Sequence, residues 1–149
     1  MTTTELDLAQ LTLEIVEEVR IAASIEESFE ALLEQMGPAN EGEKGVPMPM
    51  RLEPFPGGRW YRDLGADNGH CWGIVQAIRR PDLLEISGPL FMSYPVSNNV
   101  QYRLRAENGG TLLTFRHTAL GLIPDDHRAG LAGGWHQLLE RVRTHVRPH

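Results

Sequence analysis

A single cysteine, Cys71, is all the thiol chemistry this chain has in 149 residues. An intrachain disulfide is therefore excluded, and a reducing compartment fits. No apolar run approaches the roughly 20 residues that cross a bilayer, so membrane insertion is not expected. The start, Met1 to Asp7, has neither a basic cluster nor an apolar segment and does not read as a signal peptide. A cytoplasmic location is the expectation. Basic residues form no stripe, and a formal net charge of −6 opposes binding to phosphate backbones, which argues against nucleic acid as a partner.

Several chemistries are missing as well. There is no His-Glu-x-x-His, no Cys-x-x-Cys and no Gly-x-Ser-x-Gly elbow. Gly57-Gly58 joins two strand-like segments and cannot serve as a strand-to-helix phosphate cradle. The histidines, His70, His117, His127, His136, His145 and His149, are scattered. His70 and Cys71 are neighbours on a predicted strand and point to opposite faces. His127 and His136 are separated by about 2.5 helical turns. Neither a metal site nor a cofactor is expected.

What is present is an orderly change of hydrophobic period. The chain is 41% hydrophobic and 23% charged, ordinary for a globular protein. At this length one core can bury about 68–70% of the unfolded surface, so a single domain over residues 13–147 is predicted, preceded by a tail at 1–12. Leu13, Ile15, Glu17, Val19 and Ile21 alternate with Glu14, Val16, Glu18 and Arg20, which reads as a strand. Ser24 and Glu27 then form a capping box. Ile25, Phe29, Leu32, Leu33 and Met36 follow at helical spacing, and Gly37-Pro38 ends that helix.

A loop rich in glycine and proline follows over 37–49. Short strands are predicted at Met50–Phe55, Arg59–Leu64, His70–Arg79 and Leu83–Ser87, with turns at Pro56-Gly58, Asp67-Gly69 and Pro81-Asp82. Longer strands span Ser97–Ala106 and Thr111–Leu120, joined by Asn108-Gly109, a strong hairpin signal. The segment Gly88 to Pro95 holds two prolines, Met92 and two aromatics where a plain connection needs only a turn; it reads as a stiff apolar rim or an irregular edge. Finally, Pro124-Asp125-Asp126 opens a long helix with Leu131, Trp135, Leu138, Val142 and Val146 on one stripe.

Five segments in order carry a family resemblance: Val19 to Leu32, Gly57 to Trp60, Gly73 to Ile78 with Pro81 to Leu84, Gly110 to His117, and Gly134-Trp135. The chain resembles the AHSA-type branch (activator of heat-shock-protein ATPase-like) of the START-like, or SRPBCC, superfamily over residues 13–147. The resemblance implies an α+β helix-grip fold. A strongly curved seven-stranded antiparallel sheet would wrap a long C-terminal helix, with a short helix after the first strand. It also implies a hollow between helix and sheet for a small apolar or amphipathic molecule.

The candidate lining of that hollow is Trp60, Trp72, Phe91, Met92, Tyr94, Tyr102, Phe115, His117 and Trp135, although aromatics of this kind commonly just fill a core. His117 shares a face with Leu113 and Phe115 and is the candidate acid or base. Arg59, Arg103, Glu53 and Gln101 are further polar strand positions, inward-pointing or solvated. Three functions follow as expectations. The first is binding of a small hydrophobic ligand with no assigned reaction. The second is a cyclase- or dehydratase-type enzyme using His117. The third is a protein-interaction module like the chaperone-ATPase activator, which would need a large apolar patch on the outer sheet face. The sheet edge is a surface through which two copies can pair as a homodimer.

Overall fold

The computed structural model describes residues 7–146. One helical turn, α1 (Leu8–Leu11), leads into β1 (Thr12–Ile21), then α2 (Ile25–Met36), β2 (Arg51–Leu52), β3 (Arg59–Gly65), β4 (Asn68–Arg79), β5 (Leu83–Gly88), β6 (Val96–Glu107), β7 (Gly110–Gly121) and α3 (Asp125–Thr144). All seven strands join one antiparallel sheet in the order β1-β7-β6-β5-β4-β3-β2. The first strand thus pairs with the last, and α2 and α3, packed on each other, cover the same face. This is the helix-grip fold expected from the sequence.

The local signals act as anticipated. Ser24 Oγ accepts from the Glu27 amide at 3.1 Å and starts α2. Asn108 and Gly109 both take positive φ, 51° and 79°, which closes the β6–β7 hairpin in two residues. The predicted stripe of α3 is buried through Leu131, Trp135, Leu138 and Val142, joined by Leu139, while Val146 lies beyond the helix end and is half-buried.

Two strand predictions need correcting. The segment predicted as Met50–Phe55 pairs only at Arg51 and Leu52. The Glu53 amide still donates to the Arg59 carbonyl at 2.9 Å, but the ladder stops there because the Arg59 amide and guanidinium donate to the Glu53 carboxylate at 2.9 and 2.8 Å, and Pro54 and Pro56 have no amide to offer. The β3–β4 turn is Ala66-Asp67, with φ 52° and 62°, rather than Asp67 to Gly69. Gly69 instead lies inside β4, where an added Cβ would stand 1.9 Å from the Arg62 carbonyl oxygen. Its lack of a side chain serves a close strand approach, not the turn.

Strand β4 is also bulged. Trp60 pairs with Gly73 and Tyr61 with Cys71, so Trp72 is the extra residue between them. A bulge re-aims its side chain, and Trp72 turns onto Trp60, ring centroids 5.0 Å apart. Gly73 keeps the backbones close, since a Cβ there would meet Ile86 Cγ2 at 2.6 Å. Trp60 Nε1 donates to the Met36 carbonyl at 2.7 Å, which ties β3 to the end of α2.

Candidate functional site

The helix-facing side of the central strands carries Asn98, Val100, Tyr102 and Leu104 from β6, and Leu113, Phe115, His117 and Ala119 from β7, all buried. Period-two alternation puts each set on one face. Trp135 of α3 lies against Phe115 at 4.8 Å and against His117 at 5.5 Å, and Tyr102 lies 5.1 Å from Phe115. Four of the predicted lining residues thus form one inner cluster. Tyr102, Phe115 and His117 have no exposure at all. No water-sized space, open or enclosed, touches them.

That overturns the expectation of a ready-made hollow lined by these rings. Large side chains from both layers interlock, and protein interiors close to crystal-like density where shapes permit. Two surface depressions, of about 450 and 470 Å³, lie elsewhere. One runs along α2 beside Leu52 and Pro54, and the other sits at the β6–β7 turn beside Ile21.

The remaining predicted residues gather at one end of the sheet, around the connection 89–95. Leu90 and Met92 point inward and are buried. Leu90 donates its amide to the Trp72 carbonyl at 2.7 Å and holds φ at 57°, a left-handed value unfavourable for leucine. Phe91 is 40% exposed and lies 5.7 Å from Trp72. Tyr94 meets His127 in the first turn of α3, with Oη and Nδ1 2.6 Å apart. Residues 89–95 therefore form a strap that plugs the space between sheet and helix with two side chains. Phe91 and Tyr94 are rings of the strap's outer side rather than lining. Burial, with Asp126 adding to it, raises the Tyr94 pKa above the ordinary phenol value.

His117 is fully engaged. Trp135 Nε1 can only donate, so at 3.0 Å it makes Nδ1 the acceptor. Nε2 then carries the proton and donates to Asn98 Oδ1 at 2.7 Å. Asn98 is fixed in turn by donating to the Gly88 and Pro89 carbonyls at 3.2 and 3.3 Å. Burial lowers the His117 pKa to about 4, so the ring is neutral. Neither nitrogen is free to exchange a proton with a substrate. The histidine joins β6, β7 and α3 and is not placed as an acid or base.

Asn98 is the residue sequence reasoning passed over. A polar residue in register with Val100 and Tyr102 had to find a buried partner, and that was the available signal. The other flagged polar positions face outward: Arg59 pairs with Glu53, Gln101 donates to Glu85 at 3.0 Å, and Arg103 is exposed. The outer sheet face also carries ion pairs, Arg116–Glu14 and Arg20–Glu107, both at 2.6 Å. Exposed Val16 and Leu120 are separated by these charges and make no continuous apolar patch. Among the described residues no helix is long and apolar enough to cross a membrane, and no cluster of three or more metal-ligating side chains occurs.

A curved antiparallel sheet gripping a C-terminal helix, with its side-chain stack closed by a strap, defines a START-like protein of the SRPBCC superfamily. Within it, the profile described as Activator of Hsp90 ATPase homolog 1-like protein matches residues 22–147, and the chain belongs to that family. No curated protein sequence matches it. Solved structures of similar fold include CalU16 from Micromonospora echinospora, at 22% identity and TM-score 0.61, covering 87% of this chain and 73% of that one. Ara h 8.0201 is similar at 14% identity and TM-score 0.65, covering 91% of this chain and 97% of that one. The di-domain ARO/CYC StfQ from the steffimycin biosynthetic pathway is similar at 11% identity and TM-score 0.66, covering 93% of this chain and 52% of that one. At such identities these likenesses show the fold alone.

Proposed function

We propose that this protein binds a small, largely apolar molecule between the sheet and α3, and that the strap at 89–95 opens to admit it. The observation that carries this reading is the strap itself. Two large apolar side chains, Leu90 and Met92, are inserted into the helix–sheet layer from a segment in no regular structure, one of them in an unfavourable left-handed conformation. Such a plug is displaced more cheaply than a strand or helix, because fewer backbone hydrogen bonds break with it. Withdrawing it frees the volume of a leucine and a methionine beside Trp72 and Asn98. The walls are apolar and aromatic with few polar groups, the usual make-up of a small-molecule site. Relatives of this fold that serve as ARO/CYC proteins in biosynthetic pathways are consistent with small organic molecules as ligands.

The test uses the neutral fluorophore N-phenyl-1-naphthylamine. Saturable binding with a rise in melting temperature is expected, since a ligand that binds only the native state stabilises it. Met92→Ala shortens the plug and should bind the same probe several-fold more tightly. Absence of both binding and thermal shift, in the wild type and in Met92→Ala, overturns the proposal.

A further inference from the structure

Tyr102 carries a hydroxyl for which the folded chain provides no use. The ring sits mid-strand on β6, paired in register with Leu84 of β5 and Phe115 of β7, and is completely buried. Its Oη has no hydrogen-bond partner among the described residues. A phenylalanine would fill the same volume without this penalty, because a buried hydroxyl without a partner forfeits its hydration. Every other buried ring donor or acceptor in the layer is taken: the Trp135, Trp60 and His117 nitrogens all have partners. A second orphaned hydroxyl, Ser28 Oγ, lies on α2, the helix that packs across β6 and β7.

A series of side-chain contacts runs from the strap to the ring that carries this hydroxyl. Met92 Sδ lies 3.7 Å from Asn98 Nδ2, Asn98 bonds His117, His117 bonds Trp135, and the Trp135 ring packs at a tilt against Phe115, which packs at a tilt against Tyr102. A molecule that displaces the strap and parts this packed series of side chains ends at Tyr102. Among the described residues the buried polar ones are Ser28, Gln35, Asn40, Asn98, Thr111 and His117, none of them carrying a positive charge. A carboxylate drawn into this layer would lose its hydration with no counter-charge to replace it.

We propose that Tyr102 Oη–H is the deep polar contact of the ligand site, and that the ligand is a neutral aromatic or otherwise apolar molecule bearing one hydrogen-bond acceptor, such as a ketone or ether oxygen. This rests on the ligand-binding reading above and adds the chemical class of the ligand. The phenol stays protonated at physiological pH, because burial raises its pKa and no base adjoins it.

The experiment compares 2-acetylnaphthalene with 2-isopropylnaphthalene, which share shape and differ in the ketone oxygen, on wild type and on Tyr102→Phe. Wild type should favour the ketone over the hydrocarbon by about 5- to 15-fold, the value of one buried hydrogen bond. Tyr102→Phe should erase that preference, bind the hydrocarbon at least as well as wild type, and melt about 2–4 °C higher without ligand, since the orphaned hydroxyl is gone. A ketone preference that survives in Tyr102→Phe overturns this inference alone. So does a variant that melts lower than wild type, because the hydroxyl then has a structural partner. Tighter binding of 2-naphthoate than of the ketone to wild type overturns the neutral-ligand assignment. Binding of none of the probes to either protein sinks the ligand reading and this inference with it.

Discussion

Two histidine–aromatic pairs fasten α3 to the rest of the molecule, and they differ in almost everything except their chemistry. In the inner pair Trp135 donates to His117 at 3.0 Å, in a layer with no exposure at the imidazole. In the outer pair Tyr94 meets His127 at 2.6 Å, both half-buried, at the end of a strap with exposed Phe91. Breaking the inner pair strands polar atoms in an apolar layer, where nothing replaces the lost bond. Breaking the outer pair hands both groups to water, which replaces it almost fully. The inner pair therefore builds the core, and the outer pair is a latch that can open. Similar bond lengths conceal this difference, and burial decides it.

The comparison breaks most sharply at Trp135. Trp135→Ala should cost about 3–5 kcal/mol, from the lost ring volume and the His117 acceptor left unbonded. Urea denaturation checks this, and a loss under about 1 kcal/mol would show that the inner pair is no more structural than the outer one.

Acid provides the next largest effect. His117 has a folded-state pKa of about 4 against an ordinary 6.5. The unfolded chain thus takes up this proton first, and stability drops as pH falls from 6.5 towards 4, with no contribution from this group above that window. The full loss is roughly 3 kcal/mol. The expected signature is a wild-type stability curve that steepens across this window, with the His117→Gln difference shrinking as pH falls. Parallel curves for the two proteins would show that the ring is not buried neutral.

The strap comes third. Leu90→Ala should cost about 2 kcal/mol, at the low end for a buried leucine because the strap can settle into part of the space. It should also speed hydrogen exchange at residues 89–95. A near-neutral effect would mean that Leu90 is not a plug. Smallest is Tyr94→Phe, which removes the latch bond while keeping the ring, at about 0.5–1 kcal/mol or less. Its larger consequence should be kinetic, with N-phenyl-1-naphthylamine entering several-fold faster by stopped-flow fluorescence. Equal entry rates would separate the latch from the gate.

Much of the fold was legible because local rules and global architecture agreed. Ser24 with Glu27, the Asn108-Gly109 turn and the α3 stripe each specify an element from a handful of neighbouring residues. Reading failed where one residue type serves two physical roles. Gly69 reads as a turn residue in the sequence, yet it permits a close strand approach, and its neighbour Arg62 adjoins it only in the folded hairpin. Of the candidate site, Tyr102, Phe115, His117 and Trp135 do come together, whereas Phe91 and Tyr94 belong to the strap's outer side. Asn98 and His127 carry the decisive hydrogen bonds, and both partners are remote along the chain.

By itself the sequence determined the family, the order of strands and helices, and which residues of a strand share a face, because these depend on periodicity and turn chemistry within a few residues. Only the tertiary structure decided that the ring layer is closed rather than hollow, that His117 has no free nitrogen, and that the Tyr102 hydroxyl is left over. Each of these depends on how groups far apart in the chain fit against one another, and packing and hydrogen-bond partnership are properties of that fit.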